Sequence, residues 1–150
     1  GVLRMAMNLR IQYARLAQAL IDKGELDKAK HAIDKCMASL PESNVPYGLV
    51  MMQYVDLYYQ VGDREKAREL VESMVGSFEE KVDFYELVQN KYPKNLLGYK
   101  TDFRQTFTVA QNIMRYVEVN EEKEYASNMK TRLQNEFAKA QTIGQKMFSR

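Results

Sequence analysis

The sequence predicts an all-α fold, a stack of antiparallel helix pairs with about six or seven helices. Apolar residues recur at the spacing of amphipathic helices almost from end to end, and the alternation typical of strands is hard to find. The 150 residues include only 3 prolines and 7 glycines, so few positions interrupt the pattern. A segment near residue 24 also recurs near residue 62. We therefore expect a single helical domain over 1–150, in which two helix pairs are copies.

Glycines and prolines divide the first half of the chain into four predicted helices. The first ends at Gly24, the second before the turn that residues 41–46 predict, and the third at Gly62. Ser43 or Asn44 would cap the third helix. Because the first helix has only one narrow polar stripe, we expect neighbouring elements to cover it on most sides. That stripe consists of Arg4, Asn8, Gln12, Arg15, Gln18 and Asp22.

The second half of the chain predicts two or three further helices. Gly76 interrupts the fourth helix, and Ser77 with Glu80 forms a capping box, so either a fifth helix starts there or the fourth continues as one long bent helix. Pro93 ends this segment. The inward residues would be Phe78, Val82, Tyr85 and Tyr92.

The last two predicted helices have one apolar face each. On the first of these two helices, the residues expected to face the core are Phe103, Phe107, Ala110, Met114 and Val117. Asn120 is placed to cap the last helix, whose highly polar outer face is typical of an element that closes a helical array. The inward residues of that last helix would be Tyr125, Met129, Leu133, Phe137, Ala140 and Met147.

An internal repeat supports the stack of helix pairs. Residues 24–29 resemble residues 62–67 at an offset of 38 (62 − 24), and Ile33 and Val71 continue the match. Glycine at the start of each segment permits a tight turn. Small residues such as Ala17 and Ala29 allow the two helices of a pair to approach closely. A generic bundle whose two hairpins look alike by chance is the alternative.

The two copies resemble the tetratricopeptide repeat (TPR) superfamily, whose unit has about 34 residues. The first copy has Tyr13, Leu16, Ala17 and Leu20 on its first helix, followed by Ala29, Ile33 and Pro41. The second copy has Met51, Tyr54, Val55 and Tyr58, followed by Ala67 and Val71. The clear repeats cover about 10–41 and 48–78, and 79–150 would be a degenerate third unit or a C-terminal cap. The resemblance implies an α-α superhelix that acts as an interaction scaffold.

Two short runs also resemble the C-terminal soluble region of large membrane proteins of the Bacteroides group. Their multi-spanning part is similar to protein O-mannosyltransferases. The runs are MAMNLR at 5–10 and LPESNVPY at 40–47. This resemblance implies a soluble accessory domain on the periplasmic side of the inner membrane, which helps a glycosyltransferase to engage its substrate or partner. It implies no catalytic residue in this chain, which we expect to be a piece of a longer protein.

The composition argues against several kinds of chemistry. The 22 basic and 20 acidic residues are interleaved, which is typical of solvated helix surfaces and not of a nucleic-acid-binding stripe. His31 and Cys36 lie five residues apart on different helix faces, so they predict no metal site, and Cys36 is expected to be a buried, inert thiol. Phosphate-binding glycine loops and runs of about 18 apolar residues are missing. We expect no cofactor, no catalysis and no membrane insertion by this chain.

The most plausible function from sequence is therefore a non-catalytic interaction domain that binds a peptide, a helix or a neighbouring domain. The neighbour could be the membrane domain of its own parent chain. Most of the nine methionines are expected to fill the core. The predicted binding groove lies on the first helix of each pair, unless the C-terminal helices fill it. Its residues are Gln18, Asp22, Met52, Asp56 and Tyr59. A freestanding enzyme is the remaining hypothesis, and it would need a deep pocket with perturbed titratable groups.

Overall fold

A computed structural model describes residues 1–39 and 48–149. In these residues the chain is all-α, as predicted, with six α-helices, one 3-10 helix and no strand. The α-helices are α1 (Val2–Asp22), α2 (Leu26–Ser39), α3 (Leu49–Gln60), α4 (Arg64–Lys91), α5 (Lys100–Asn120) and α6 (Lys123–Phe148), and the 3-10 helix is Pro93–Tyr99. The predicted turn at 41–46, with its caps and its repeat proline, lies outside the described residues.

The chain divides into two compact units, Gly1–Val71 and Glu72–Arg150, with the boundary inside α4. In the first unit α1 packs against both α2 and α3, and α2 packs against α3. Small side chains line these contacts: Ala17 and Ala29 are completely buried. The close approach of the helices that these alanines predicted is therefore present.

The two turns of the first unit share the hydrogen bonds that follow their C-cap residues. Gly24 and Gly62 have φ angles of 79° and 81°, a region that side chains with a Cβ rarely adopt. Two backbone hydrogen bonds close each turn, and the donors and acceptors of the second turn lie 38 residues after those of the first (for example 62 − 24). The hydrogen bonds are Gly24 N–H to Ile21 O (2.8 Å), Glu25 N–H to Leu20 O (2.9 Å), Gly62 N–H to Tyr59 O (3.1 Å) and Asp63 N–H to Tyr58 O (3.0 Å).

Helix α4 is continuous through Gly76, so the expected start of a fifth helix at Ser77 is wrong and the alternative of one long helix is correct. A glycine inside a helix costs about 1 kcal/mol relative to alanine. Ending the helix there would instead disturb Val75 and Phe78, which are both buried. Burial on both sides of Gly76 therefore outweighs the local signal for a helix start.

Aromatic rings hold the second unit together. Phe137 of α6 lies 5.4 Å from Phe78 of α4 and 5.2 Å from Phe107 of α5, between ring centroids. Phe103 of α5 lies 5.5 Å from Tyr85 of α4. At Gly144 of α6 a Cβ would approach the Phe103 ring to 3.2 Å, so a larger residue there would require the ring to shift by a few tenths of an ångström.

Several predicted positions differ from the structure. Tyr92 is exposed instead of inward, because it follows the last residue of α4. Asn120 does not cap α6; its side-chain amide donates to the carbonyl oxygen of Tyr116, and Glu122 occupies the N-cap position. Met5 and Met7 are exposed and do not fill the core. Helix α1 buries only one face, so the expectation that it is covered on most sides is wrong. The buried residues of that face are Ala6, Arg10, Ala14 and Ala17.

Candidate functional site

Four polar residues on α1 and α3 form the best-defined polar surface feature of the first unit. Gln18 and Asp22 are one helical turn apart on α1, and Asp56 and Gln60 are one turn apart on α3. The pairs occupy equivalent repeat positions, since 56 − 18 and 60 − 22 both equal 38. The sequence order of amide and carboxylate is reversed between the two helices. We call these four residues the amide ladder.

The ladder joins the two helices by a reciprocal pair of amide hydrogen bonds. Gln18 Nε2 donates to Gln60 Oε1 at 3.2 Å, and Gln60 Nε2 donates to Gln18 Oε1 at 3.1 Å. Each amide also donates to the carboxylate on its own helix, Gln18 to Asp22 at 3.0 Å and Gln60 to Asp56 at 2.7 Å. Both donor hydrogens of each amide are thus used within the ladder.

The ladder leaves two oriented carboxylates on one side of the unit. A carboxylate can accept about four hydrogen bonds, and the ladder supplies one to each. Since Gln18 and Gln60 hold Asp22 and Asp56 in place, the arrangement can bind a cation or an N–H donor without first ordering those two side chains. Preorganisation of this kind lowers the entropic cost of binding.

Three of the five predicted groove residues belong to the ladder, and two do not. Met52 and Tyr59 share a face of α3 with Asp56, at spacings of four and three residues, but both side chains are half-buried. The hydroxyl oxygen of Tyr59 is shielded from solvent. Any contact of Tyr59 with a partner would therefore use its ring and not its hydroxyl.

Sequence reasoning missed Gln60, whose side chain joins the α3 side of the ladder to the α1 side. The signal was present, because Gln60 lies 38 residues after Asp22 and four residues after Asp56. Comparing repeat positions within the polar face, as well as within the apolar one, would have found it.

A second polar cluster surrounds the turn between α3 and α4. The Tyr58 hydroxyl donates to Asp34 Oδ1 at 2.8 Å, and Lys66 Nζ lies 3.5 Å from the same oxygen. Lys30 lies 3.6 Å from Asp34 and 3.5 Å from Asp63, and these two carboxylates raise the pKa of Lys30. The described charges pair with one another, so this cluster ties α2 to the second turn.

His31 and Cys36, the two candidates for reactive chemistry, are not placed to react. His31 is exposed, as expected for a surface histidine. Cys36 is completely buried, and burial raises the pKa of its thiol, although the hydrogen bond from Tyr54 and the charge of Arg10 act in the opposite direction. A thiol with a raised pKa is protonated at neutral pH and is a poor nucleophile.

Arg10 is the unexpected member of this buried region, with a relative exposure of 1%. Its carbonyl oxygen accepts a hydrogen bond of 2.6 Å from the Tyr54 hydroxyl, which also lies 3.1 Å from Cys36 Sγ. One tyrosine of α3 thus makes hydrogen bonds to both α1 and α2. The apolar periodicity of α1 gave no indication that an arginine would lie on the buried face.

Other ligand sites are not evident in the part of the chain that the structure describes. Among residues 1–39 and 48–149, no group of three His, Cys, Asp or Glu side chains is arranged to hold a metal ion. None of the helices in those residues is long and apolar enough to cross a membrane. An apolar hollow of about 430 Å³ lies between α5 and α6, lined by Phe103, Phe107, Phe137, Ala140, Gln141 and Gly144.

Comparison with known proteins adds no relative to this description: no family model matches the chain, and no curated protein or solved structure matches it either. The resemblances to TPR proteins and to mannosyltransferase-associated domains therefore stay predictions from the sequence.

Proposed function

We propose that the chain is a TPR-like interaction module, which binds a peptide or helix on the face of α1 and α3 that carries the amide ladder. The observation that carries this proposal is the equivalence of the two helix pairs. Their turns share φ angles and hydrogen bonds at a constant offset of 38 residues, 62 − 24. A stack of equivalent helix pairs presents the first helices of successive pairs side by side, which is how helical repeats form extended binding surfaces.

The chemistry of this face favours a partner segment with basic or amide groups. Asp22 and Asp56 are the two carboxylates of the ladder, and the glutamine amides hold both. Met52 offers a polarisable apolar contact beside them. A segment with a lysine or arginine next to an apolar side chain would satisfy both features. An accessory role beside a membrane glycosyltransferase is compatible with this proposal, because it names a parent chain and not a binding mode.

Selection from a randomised peptide library tests the proposal. The wild-type chain should select peptides enriched in basic and apolar residues. The double variant Asp56→Asn/Met52→Ala should bind the selected peptides at least about tenfold more weakly. A tenfold loss of affinity corresponds to about 1.4 kcal/mol of binding free energy. Asn at position 56 can still accept the hydrogen bond from Gln60, so the ladder persists while its charge is reduced.

The matched control is Glu69→Gln/Met37→Ala, which makes the same type of charge and side-chain change on α4 and α2. It should bind the selected peptides as wild type does. Failure to enrich any peptide, or equal binding by the ladder variant and the control, would contradict the proposed function.

A further inference from the structure

Helix α1 carries an exposed apolar stripe beside the face that makes its buried contacts. Val2, Met5, Leu9 and Leu16 are 85%, 64%, 43% and 49% exposed. Their spacing of three, four and seven residues is that of one seam of a coiled coil. A shallow hollow of about 340 Å³ includes Met5 and Leu9 of this stripe, and Gly1, Arg4, Asn8 and Gln12 complete its lining. We call Val2, Met5, Leu9 and Leu16 the α1 stripe.

The internal repeat shows what covers the equivalent face of α3. Leu16 corresponds to Tyr54, since 54 − 16 equals 38, and Ala19 corresponds to Leu57. Leu16 and Ala19 are exposed, whereas Tyr54 and Leu57 are buried. The element above Tyr54 is α2, because the Tyr54 hydroxyl lies 3.1 Å from Cys36 Sγ.

A second tyrosine of α3 makes the same contact one turn further on. Tyr58 corresponds to Leu20 of α1 (58 − 20 equals 38). The Tyr58 hydroxyl donates to Asp34 of α2 at 2.8 Å, and the side chain is 1% exposed, whereas Leu20 is only half-buried. Tyr54 and Tyr58 thus both reach α2, which covers this face of α3 over about one turn.

The charges beside the α1 stripe favour an acidic occupant. Arg4 and Arg15 are exposed on α1, and the helix has no acidic residue before Asp22. A second copy of this chain would place two arginine-bearing helices side by side, and the like charges would repel one another. A helix with glutamates or aspartates beside its apolar seam would instead be attracted.

We propose that the α1 stripe binds one amphipathic helix of a partner protein, with an apolar seam and acidic flanks, which lies against α1 as α2 lies against α3. Helix-in-groove recognition of this kind uses anchors at the spacing that the stripe provides. The stripe spans about 21 Å from Val2 to Leu16, at about 1.5 Å per residue. Its apolar residues lie on a different side of α1 from Gln18 and Asp22, so they are separate from the amide ladder, whereas Arg4 and Arg15 share the polar stripe of α1 with those two residues.

Two synthetic helical peptides test this inference. Both have leucines and alanines along one seam; one has glutamates beside the seam and the other has lysines. Fluorescence anisotropy should show that the glutamate peptide binds the full chain at least about tenfold more tightly than the lysine peptide does. The stripe variant Leu9→Gln/Leu16→Gln should bind the glutamate peptide at least about tenfold more weakly than wild type, because it places two amides in the apolar seam.

The matched control is Leu26→Gln/Leu97→Gln, which changes two leucines that are as exposed as Leu9 and Leu16 but lie on other elements. It should retain wild-type affinity for the glutamate peptide. Helicity of both variants, followed by circular dichroism, should equal that of wild type, because all four leucines are exposed.

Four results would overturn the inference. In the first, the glutamate peptide does not bind; in the second, the stripe variant and the control lose binding equally. In the third, wild type sediments as a dimer and the stripe variant does not. In the fourth, wild type binds vesicles of phosphatidylcholine and phosphatidylserine and the stripe variant does not. The third would assign the stripe to a second copy, and the fourth to an anionic membrane surface. None of them would affect binding at the amide ladder.

Discussion

The two units of the chain are held together by different interactions, although both are helical. In Gly1–Val71 the buried tyrosines Tyr54 and Tyr58 donate hydrogen bonds from α3 to the other helices, and alanines allow the helices to approach closely. In Glu72–Arg150 the rings of Phe78, Phe107 and Phe137 pack against one another. Hydrogen bonds fix the register of one helix against another, whereas ring packing mainly excludes water. The second unit also has a tyrosine hydrogen bond, from Tyr85 of α4 to Asp102 of α5, so the units differ in how much each relies on such contacts.

Ion pairs in the second unit reinforce this difference. Arg132 of α6 donates to Glu72 and Glu79 of α4, and hydrogen bonds to these two carboxylates raise the pKa of the guanidinium. Arg132 and Glu72 are both exposed to a third or more of their side-chain area, so the pair contributes little to stability beyond orientation. The aromatic cluster should therefore dominate the stability of the second unit.

Removing the central ring of that cluster should have the largest effect. Phe137→Ala should lower the free energy of unfolding by about 3 kcal/mol, because the ring contacts Phe78 and Phe107 and leaves a cavity. Phe84→Ala, which removes a ring that is 41% exposed, should cost about 1 kcal/mol. Urea denaturation followed by circular dichroism measures both values. Equal losses would show that ring packing does not dominate this unit.

The two turn glycines test the equivalence of the helix pairs. Gly24→Ala and Gly62→Ala should each cost about 1 to 2 kcal/mol, since both glycines have positive φ and nothing crowds the added Cβ. The two losses should agree within about 0.5 kcal/mol. Gly76→Ala, inside α4, should instead stabilise the chain by about 1 kcal/mol. Clearly unequal costs at residues 24 and 62 would contradict the equivalence of the turns.

The smallest predicted effect is an alkaline loss of stability that depends on Tyr54. Burial, and secondarily the hydrogen bond to Cys36, raises the pKa of Tyr54 far above its usual value of about 10. The folded chain therefore keeps the phenolic proton where the unfolded chain releases it. The stability that this proton confers is complete below about pH 10 and is lost as the pH rises further.

Comparison of wild type with Tyr54→Phe isolates this contribution. Between pH 7 and pH 10.5 the free energy of unfolding should fall by about 0.8 kcal/mol more in wild type than in the variant, because the unfolded tyrosine ionises over that interval. The measurement is urea denaturation at both pH values. Identical pH dependence in the two proteins would show that the Tyr54 hydroxyl is not buried.

The sequence predicted those features that depend on local chemistry. Gly24 and Gly62 were identified because only a residue without a Cβ adopts their backbone conformation easily, and Cys36 and Ala29 were placed inside because helical periodicity reports which face is apolar. Three groove residues, Gln18, Asp22 and Asp56, were placed on one side by the same periodicity.

Features that depend on which neighbour is present could not be predicted in this way. Periodicity shows that Leu16 and Tyr54 occupy equivalent positions. It does not show that α2 covers Tyr54 whereas Leu16 is exposed. The burial of Arg10 depends on the helices packed around α1, and the continuity of α4 through Gly76 depends on the burial of Phe78. Each of these outcomes is decided by tertiary contacts that override a local signal.

Backbone amide chemical shifts, recorded by NMR with and without a library-selected peptide, test the central claim most directly. Binding at the amide ladder should shift the amides around Gln18 on α1 and those from Met52 to Gln60 on α3, and the shifts should be lost in Asp56→Asn/Met52→Ala. Shifts confined to α5 and α6, or shifts that persist in the variant, would contradict the assignment of binding to this face.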